Sequence, residues 1–329
     1  MLYPLKFKPI LKPQIWGGSR LVQAGKKLPA RFRNAADSIG ESWEISGVEG
    51  SVSVVSNGFL KSNNLEELSE VYMGDLLGDK IYDTYGLQFP ILIKCIDARD
   101  ILSVQVHPDD ELAGRRHGTR GKTEMWYVMD CEPGACLYVG FNRPVTREEY
   151  LAALANGTLT DLLMRYEVRR GDAYYIPAGT VHAIGSGMLI AEIQETSDIT
   201  YRIYDYDRLG PDGEPRELHT DLATDVIDYT YHPRHRVNYT PQDNTPIQLV
   251  KCPYFTTNLL TLDRDVERDY FRLDSFVIYM CLAGRFTITT GECAPVLVNR
   301  GETVLLPACF KNVALYPDDL TRLLEIYIE

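Results

Sequence analysis

The sequence holds no apolar run approaching the roughly 18 residues that a membrane-spanning helix needs. Its densest apolar stretch, Val277–Ala283, is far too short. The opening residues, MLYPLKFKPILKP, have neither an apolar core nor a small-residue cleavage pattern. No secretory leader is expected, and a cytoplasmic location is. Positive charge is scarce: 34 Lys plus Arg stand against 46 Asp plus Glu, a formal net charge of −12. That balance argues against a broad basic surface for nucleic acid. It also repels anionic small molecules at long range, so a bound phosphate needs a local cationic cluster. No C-x-x-C pair occurs. The seven cysteines (Cys95, Cys131, Cys136, Cys252, Cys281, Cys293, Cys309) are odd in number and scattered, the pattern of reduced thiols rather than a disulfide framework.

What is present is an ordinary globular composition, 45% apolar and 24% charged. The 329 residues allow one large domain or two ordinary ones at about 150 residues each. Strand patterns dominate. Leu102, Val104 and Val106 alternate with Ser103, Gln105 and His107, a period of two. Residues 122–127 alternate in the same way. Further strand-like runs lie at 88–96, Ala173–Ile176, 188–194, 200–204, 276–282 and Thr303–Leu306, many bounded by Gly, Pro, Asn or Asp. Three helical stretches interrupt them. Asn64 precedes Glu67 by three residues and Thr146 precedes Glu149 by three, both capping-box patterns. Thr158 and Asp161 form a weaker version. The helices at about 64–77 and 146–166 read as an insertion in a β scaffold.

Residues 240–246 (TPQDNTP) are polar and proline-rich, a linker pattern. Residues 1–240 are therefore expected to form one unit and 241–329 a second, smaller one. An internal echo supports two units of similar design. Residues 171–177 and 301–307 both read G-x5-P around a hydrophobic strand. The first copy continues as P-A-G-T-V-H, ending at His182; the second continues as P-A-C-F-K-N, without a histidine. Only the first is expected to hold a metal.

The candidate ligands are Gln105, His107, Glu124 and His182. Gln105 and His107 are two apart, so a strand places them on one face. Glu124 lies on a second strand-like run and His182 at the end of a third. Each has an ordinary structural reading when taken alone. Together, two imidazoles, a carboxylate and an amide oxygen suit a borderline metal such as Zn²⁺ or Fe²⁺ with a position left for water or a hydroxyl. No cysteine belongs to the set, which disfavours a closed structural zinc site. The other histidines (His117, His219, His232, His235) lie in polar stretches and read as solvated loop residues.

G-x5-P-x-G-x2-H at 171–182 resembles the second metal motif of the cupin superfamily, with Ser186 where Asn is usual. SVQVHPDDELA (103–113), GKTEMWYV (121–128), YYIPAGTVHAI (174–184) and EIQETSDITYRIYDYDR (192–208) resemble the type I phosphomannose isomerases in their short bacterial form. KPQIWGG (12–18) and GESWEIS (40–46) fit the same family. The resemblance runs from about residue 8 to 210. It implies a mainly β fold of two cupin-like, jelly-roll β-barrel units with a small helical insertion, the second unit degenerate. It implies a zinc enzyme, one ion per chain, interconverting mannose 6-phosphate and fructose 6-phosphate through an enediol. The zinc ligands would be the four residues above. Lys122 and Ser103 would face the same cavity, and Arg202 would match the family's active-site arginine. Lys122 and Arg202 are thus the expected catalytic groups, and Ser103, Lys122 and Arg202 the expected substrate contacts. Gly121 stands where longer enzymes carry histidine. Glu192, Glu195 and Asp198 are available as bases, and 109–111 reads as a solvated turn. A phosphorylated hexose is the expected partner, with no nucleic acid or membrane, in a monomer or homodimer. The competing readings are a Fe²⁺-dependent cupin oxygenase and a non-catalytic sugar-binding cupin.

Overall fold

The structure is a computed structural model, and it describes residues 1–210 and 212–329. It is mainly β. The strands up to residue 204 are β1 (Leu5–Lys6), β2 (Ile10–Gly18), β3 (Ile39–Ile45), β4 (Ile91–Ala98), β5 (Val104–Val106), β6 (Glu124–Cys131), β7 (Cys136–Phe141), β8 (Leu163–Glu167), β9 (Ala173–Ile176), β10 (His182–Ile184), β11 (Met188–Glu195) and β12 (Tyr201–Tyr204). After the 240–246 segment come β13 (Ile247–Lys251), β14 (Thr256–Leu262), β15 (Val266–Asp269), β16 (Val277–Ala283), β17 (Arg285–Thr289), β18 (Val296–Asn299), β19 (Thr303–Leu306), β20 (Asn312–Pro317) and β21 (Thr321–Tyr327).

These strands form four sheets, and none closes on itself. Their orders are β2-β3-β4-β11-β6-β9, β12-β5-β10-β7-β8, β1-β19-β16-β21-β14-β13 and β15-β20-β17-β18. The expected barrels are therefore open sheets packed face to face. Residue alternation shows this directly for the first pair. From the six-stranded sheet, Ile96, Trp126, Val128 and Ile190 share one buried cluster with Leu137, Val139 and Ile184 of the five-stranded sheet. The intervening residues of the same strands, Ile91, Ile93, Cys95, Met125, Tyr127, Ala191 and Ile193, point the other way. They join the largest cluster, which also holds Leu260, Tyr279, Leu305 and Leu324 of the third sheet. The sheet carrying β4, β6 and β11 is thus buried on both faces, which is why β4 and β11 are buried at every position.

Six α-helices accompany the sheets: α1 (Arg20–Gln23), α2 (Leu65–Leu77), α3 (Asp79–Tyr85), α4 (Asp110–His117), α5 (Arg147–Ala155) and α6 (Thr220–Thr224). The two strong capping boxes form as expected. The Asn64 side chain accepts the Glu67 N–H and Glu67 accepts the Asn64 N–H, both at 2.8 Å. Thr146 and Glu149 do the same at 3.2 and 2.8 Å. The third stretch is only a short 3₁₀ turn, Leu159–Leu162, without a side-chain cap, and it gives way to β8. Residues 109–111 are not a free turn: Asp109 caps α4 by accepting the Leu112 N–H at 2.8 Å. Tyr150 of α5 and Ala223 of α6 pack with Val104, Val106, Ala183, Tyr201 and Ile203. The helical layer therefore covers the outer face of the five-stranded sheet. The alternate residues Gln105, His182 and Arg202 are left facing inward.

The two G-x5-P segments become β9 and β19, and both leading glycines adopt positive φ, 94° at Gly171 and 77° at Gly301. Glycine is the residue for that turn. The chain's first strand crosses between the halves: Leu5 of β1 pairs with Leu305 of β19.

Candidate metal centre

The centre lies between the first two sheets. In the five-stranded sheet His182 pairs with Gln105, and Gln105 pairs on its other side with Arg202. Direct cross-strand partners project to the same face, so these three side chains stand in a row. His107, two residues beyond Gln105, follows by alternation. Glu124 opens β6 on the facing sheet, between Ile176 of β9 and Gln194 of β11.

Four sequence-predicted residues meet here. The ligating atoms of His107, Glu124 and His182 all lie within 4.8 Å of one another. His182 Nε2 is 3.3 Å from Glu124 Oε1, and His107 Nε2 is 3.5 Å from Oε2. The Gln105 amide lies 3.3 Å from His182 Nε2, with its nitrogen foremost. A half-turn about its last bond presents the oxygen instead, since the two ends are almost the same size. Both imidazoles are fixed from behind. His107 Nδ1 donates to the Ile199 carbonyl at 2.9 Å and His182 Nδ1 to the Thr180 carbonyl at 2.8 Å. A carbonyl only accepts, so the proton sits on Nδ1 and the Nε2 lone pair faces the centre. Burial keeps both rings neutral. It draws His182 down to about 3 and His107 well below its ordinary value, with Lys122 adding to the effect in each.

Glu124 is the physical anomaly. It has no exposure, and neither carboxylate oxygen has a hydrogen bond. Lys122 Nζ approaches Oε2 at 3.0 Å but lacks the alignment of a hydrogen bond. Burial raises this carboxyl to about 7, against the pull of Lys122. A buried carboxylate that faces two imidazole lone pairs, with the Lys122 ammonium beside it but no aligned hydrogen bond to either oxygen, is an unfavourable arrangement by itself. A divalent cation supplies what these donors lack, and the mixed N/O set fits one.

The other expected site residues are near but differently engaged. Lys122 is buried, with Nζ 3.1 Å from His107 Nε2. Ser103 is buried at the start of the same strand run. Arg202 is half-buried; it donates to the Glu217 carbonyl at 2.8 Å, and its Nε is buried without a partner. Glu192 is buried and closely held. Burial would raise it, but Lys94 at 2.9 Å, Lys122 and the Trp126 indole N–H at 2.9 Å hold it down at about 2. Glu195 accepts the Thr123 N–H at 2.7 Å, and Asp198 is exposed. Asp198 and Ile199 line a cleft of about 740 Å³ with His117 and Arg120.

The structure corrects one histidine reading. His235 is not solvated but buried, with Nε2 unpartnered. Lys94 and Trp126 escaped the sequence reading; a lysine inside the apolar run ILIKCI was the available signal. Gly121 has a steric reason: a Cβ there would lie 2.5 Å from the Asp109 and Asp110 backbone.

Comparison with known proteins places the chain in a family. Residues 5–132 match the family model described as phosphomannose isomerase type I, catalytic domain. The mannose-6-phosphate isomerase ManA of Bacillus subtilis (strain 168) is 37% identical over 310 residues, covering 92% of this chain and 93% of that one. The crystal structure of the mannose 6-phosphate isomerase from Bacillus subtilis superposes with a TM-score of 0.87 at 31% identity, over 99% of this chain and 100% of that one. A mannose 6-phosphate isomerase structure bound with zinc and yttrium shares the fold, with a TM-score of 0.77 at 15% identity over 100% of both chains.

Proposed function

The chain belongs to the type I phosphomannose isomerase family and is an aldose–ketose isomerase, and from that premise we propose a specific site and chemistry for it. The substrate pair is mannose 6-phosphate and fructose 6-phosphate. The ion is zinc, one per chain, held by His107, Glu124, His182 and, after its amide turns, Gln105. The observation that carries this reading is the convergence of the His107, Glu124 and His182 ligand atoms within 4.8 Å, with the Glu124 carboxylate buried and without a hydrogen bond. The oxygenase and non-catalytic readings have no support from the family.

Isomerisation moves a proton between C2 and C1 through an enediol, with negative charge developing on oxygen. Zinc in this site would supply Lewis acidity toward the sugar oxygens and help orient them. Arg202, a permanent cation with a free Nε, lies beside Gln105 and stabilises the developing enediolate. Lys122 brings a second cation to the reacting end, and Ser103 offers a hydroxyl to the substrate. The Glu192–Lys94–Trp126 group is a polar wall in which each carboxylate oxygen accepts one hydrogen bond.

Two cupin-like units account for the echo, residues 1–240 catalytic and 241–329 degenerate, with β1 lent across. In the second unit Asn258, Glu325 and Tyr279 stand in register, closed by Arg268 and Tyr270. That polar centre is built from an amide, a carboxylate, two phenols and a guanidinium, with no histidine among them. The seven unpaired cysteines support a reducing, cytoplasmic setting, and a monomer or homodimer is the expected state.

Zinc content and mannose 6-phosphate turnover test the reading together. The purified protein should hold one zinc per chain and lose turnover to a chelator. His182→Ala should lose both metal and activity; zinc retained at a near-normal rate would reject the ligand assignment.

A further inference from the structure

Gln194 faces the centre from β11, directly opposite Glu124, and is fully buried. Its amide nitrogen donates to the carbonyls of Glu195 at 2.8 Å and Ser197 at 2.6 Å. Two carbonyls can only accept, so the amide is fixed with its nitrogen toward that turn and its oxygen away from it. That oxygen is buried and has no hydrogen-bond partner. An unpaired buried acceptor is destabilising unless some state of the protein brings it a donor.

Lys122 presents the complementary problem. Its Nζ lies 3.1 Å from His107 Nε2 and 3.0 Å from Glu124 Oε2. On the reading above, both atoms belong to the metal. An ammonium and a divalent cation cannot share them, because like charges at such range repel strongly in a buried site. Lys122 must move when the ion binds. It lies just ahead of β6, two residues before Glu124, which is the direct cross-strand partner of Gln194. Each oxygen of the neighbouring Glu192 already accepts a hydrogen bond, from Lys94 or from Trp126, whereas the Gln194 oxygen accepts none.

We propose that Gln194 is a positioning residue whose Oε1 receives the Lys122 ammonium when a divalent cation occupies His107, Glu124 and His182. This rests on the metal assignment made above. Without the ion, Lys122 neutralises Glu124 from within the centre. With it, Lys122 is retained beside the centre at a fixed acceptor instead of being expelled. Lys122 is then a built-in competitor for the metal, and Gln194 is the partner that lowers the penalty of its displacement.

The test is zinc affinity, read by competition with a chromophoric chelator, in four proteins: wild type, Lys122→Met, Gln194→Met and the double variant. Methionine is as long as glutamine and one atom shorter than lysine, and it carries neither charge nor amide. Lys122→Met should bind zinc about tenfold or more tightly, since the competing cation is gone. Gln194→Met should bind about three- to tenfold more weakly. In the Lys122→Met background the Gln194 substitution should change nothing, the signature of a coupled pair. Equal or weaker binding by Lys122→Met overturns the proposal. So does a Gln194→Met loss that persists in full without Lys122, which would make Gln194 a support for the 195–197 turn. If Gln194→Met does not fold, the Lys122→Met measurement decides alone. Wild type that binds no zinc overturns the metal assignment and this proposal together; stoichiometric zinc without the coupling overturns only this one.

Discussion

At the residue scale, the proposed chemistry is divided between Glu124 and Arg202. Glu124 has no exposure and no hydrogen bond to either oxygen; Lys122 balances it at 3.0 Å, and an ion that both imidazoles can also reach would balance it further. Arg202 has a different standing. It is half-buried on the strand beside Gln105, one arm tied to the Glu217 carbonyl and Nε unpaired. It touches none of the three clustered ligands, so its removal should spare the metal. Arg202→Ala should retain zinc and lower kcat by about 10²- to 10³-fold, the scale for losing one well-aimed electrophile. A change confined to KM would make Arg202 a binding group alone. The convergence of these side chains was legible in the sequence because Gln105 lies on a strand whose alternation carries on to His107, and Glu124 opens another. The place of Arg202 was legible only through the family resemblance, since nothing local aligns residue 202 with residue 105. Lys94 was hidden for the opposite reason: a lysine in an apolar run has no periodic signature.

At the element scale, what the sequence revealed depended on how each element is buried. Strands with one apolar face, such as β5 and β12, announce themselves by period two. The capped helices α2 and α5 announce themselves by Asn64 and Thr146. Helix α4 did not, because Ala113 is its one buried residue and no hydrophobic stripe exists to read. Its N-terminus nonetheless matters, since it faces the end of β11. There Glu195 is buried, accepts the Thr123 N–H and faces Asp110, and its carboxyl is raised to about 8. Burial is the larger cause and the Asp110 charge adds to it. The unfolded chain releases this proton near the ordinary value of about 4.3, the folded chain only near 8. Stability contributed by the protonated form is therefore lost as pH rises across that interval. Glu195→Gln keeps an acceptor for Thr123 and has no proton to lose. Its stability advantage over the wild type should be small at pH 5 and grow toward pH 9 in urea unfolding. An advantage independent of pH would reject the buried-carboxyl account.

At the scale of the whole molecule, the halves are joined by more than the 240–246 segment. β1 completes the sheet that begins at Ile247. Lys26 pairs with Glu44 at 2.6 Å and donates to the Gly301 carbonyl at 2.6 Å. The largest hydrophobic cluster draws on both halves, from Ile93 and Tyr127 to Leu260 and Leu324. Urea unfolding should therefore be one cooperative transition, coincident by tryptophan fluorescence and far-UV circular dichroism. Two separated transitions would show that the halves are independent. The expected barrels did not survive, because sheet closure depends on which strands pair at the edges, and no local pattern records that. The open, facing sheets still bring together residues 105, 107, 124 and 182 as the spacing implied. The central claim is that these residues grip one divalent ion, and anomalous diffraction at the zinc edge from crystals of the purified enzyme tests it most directly. The account predicts a single strong peak per chain, bounded by the two Nε2 atoms and the Glu124 carboxylate. A peak elsewhere, or none there in protein that is turning over mannose 6-phosphate, would contradict it.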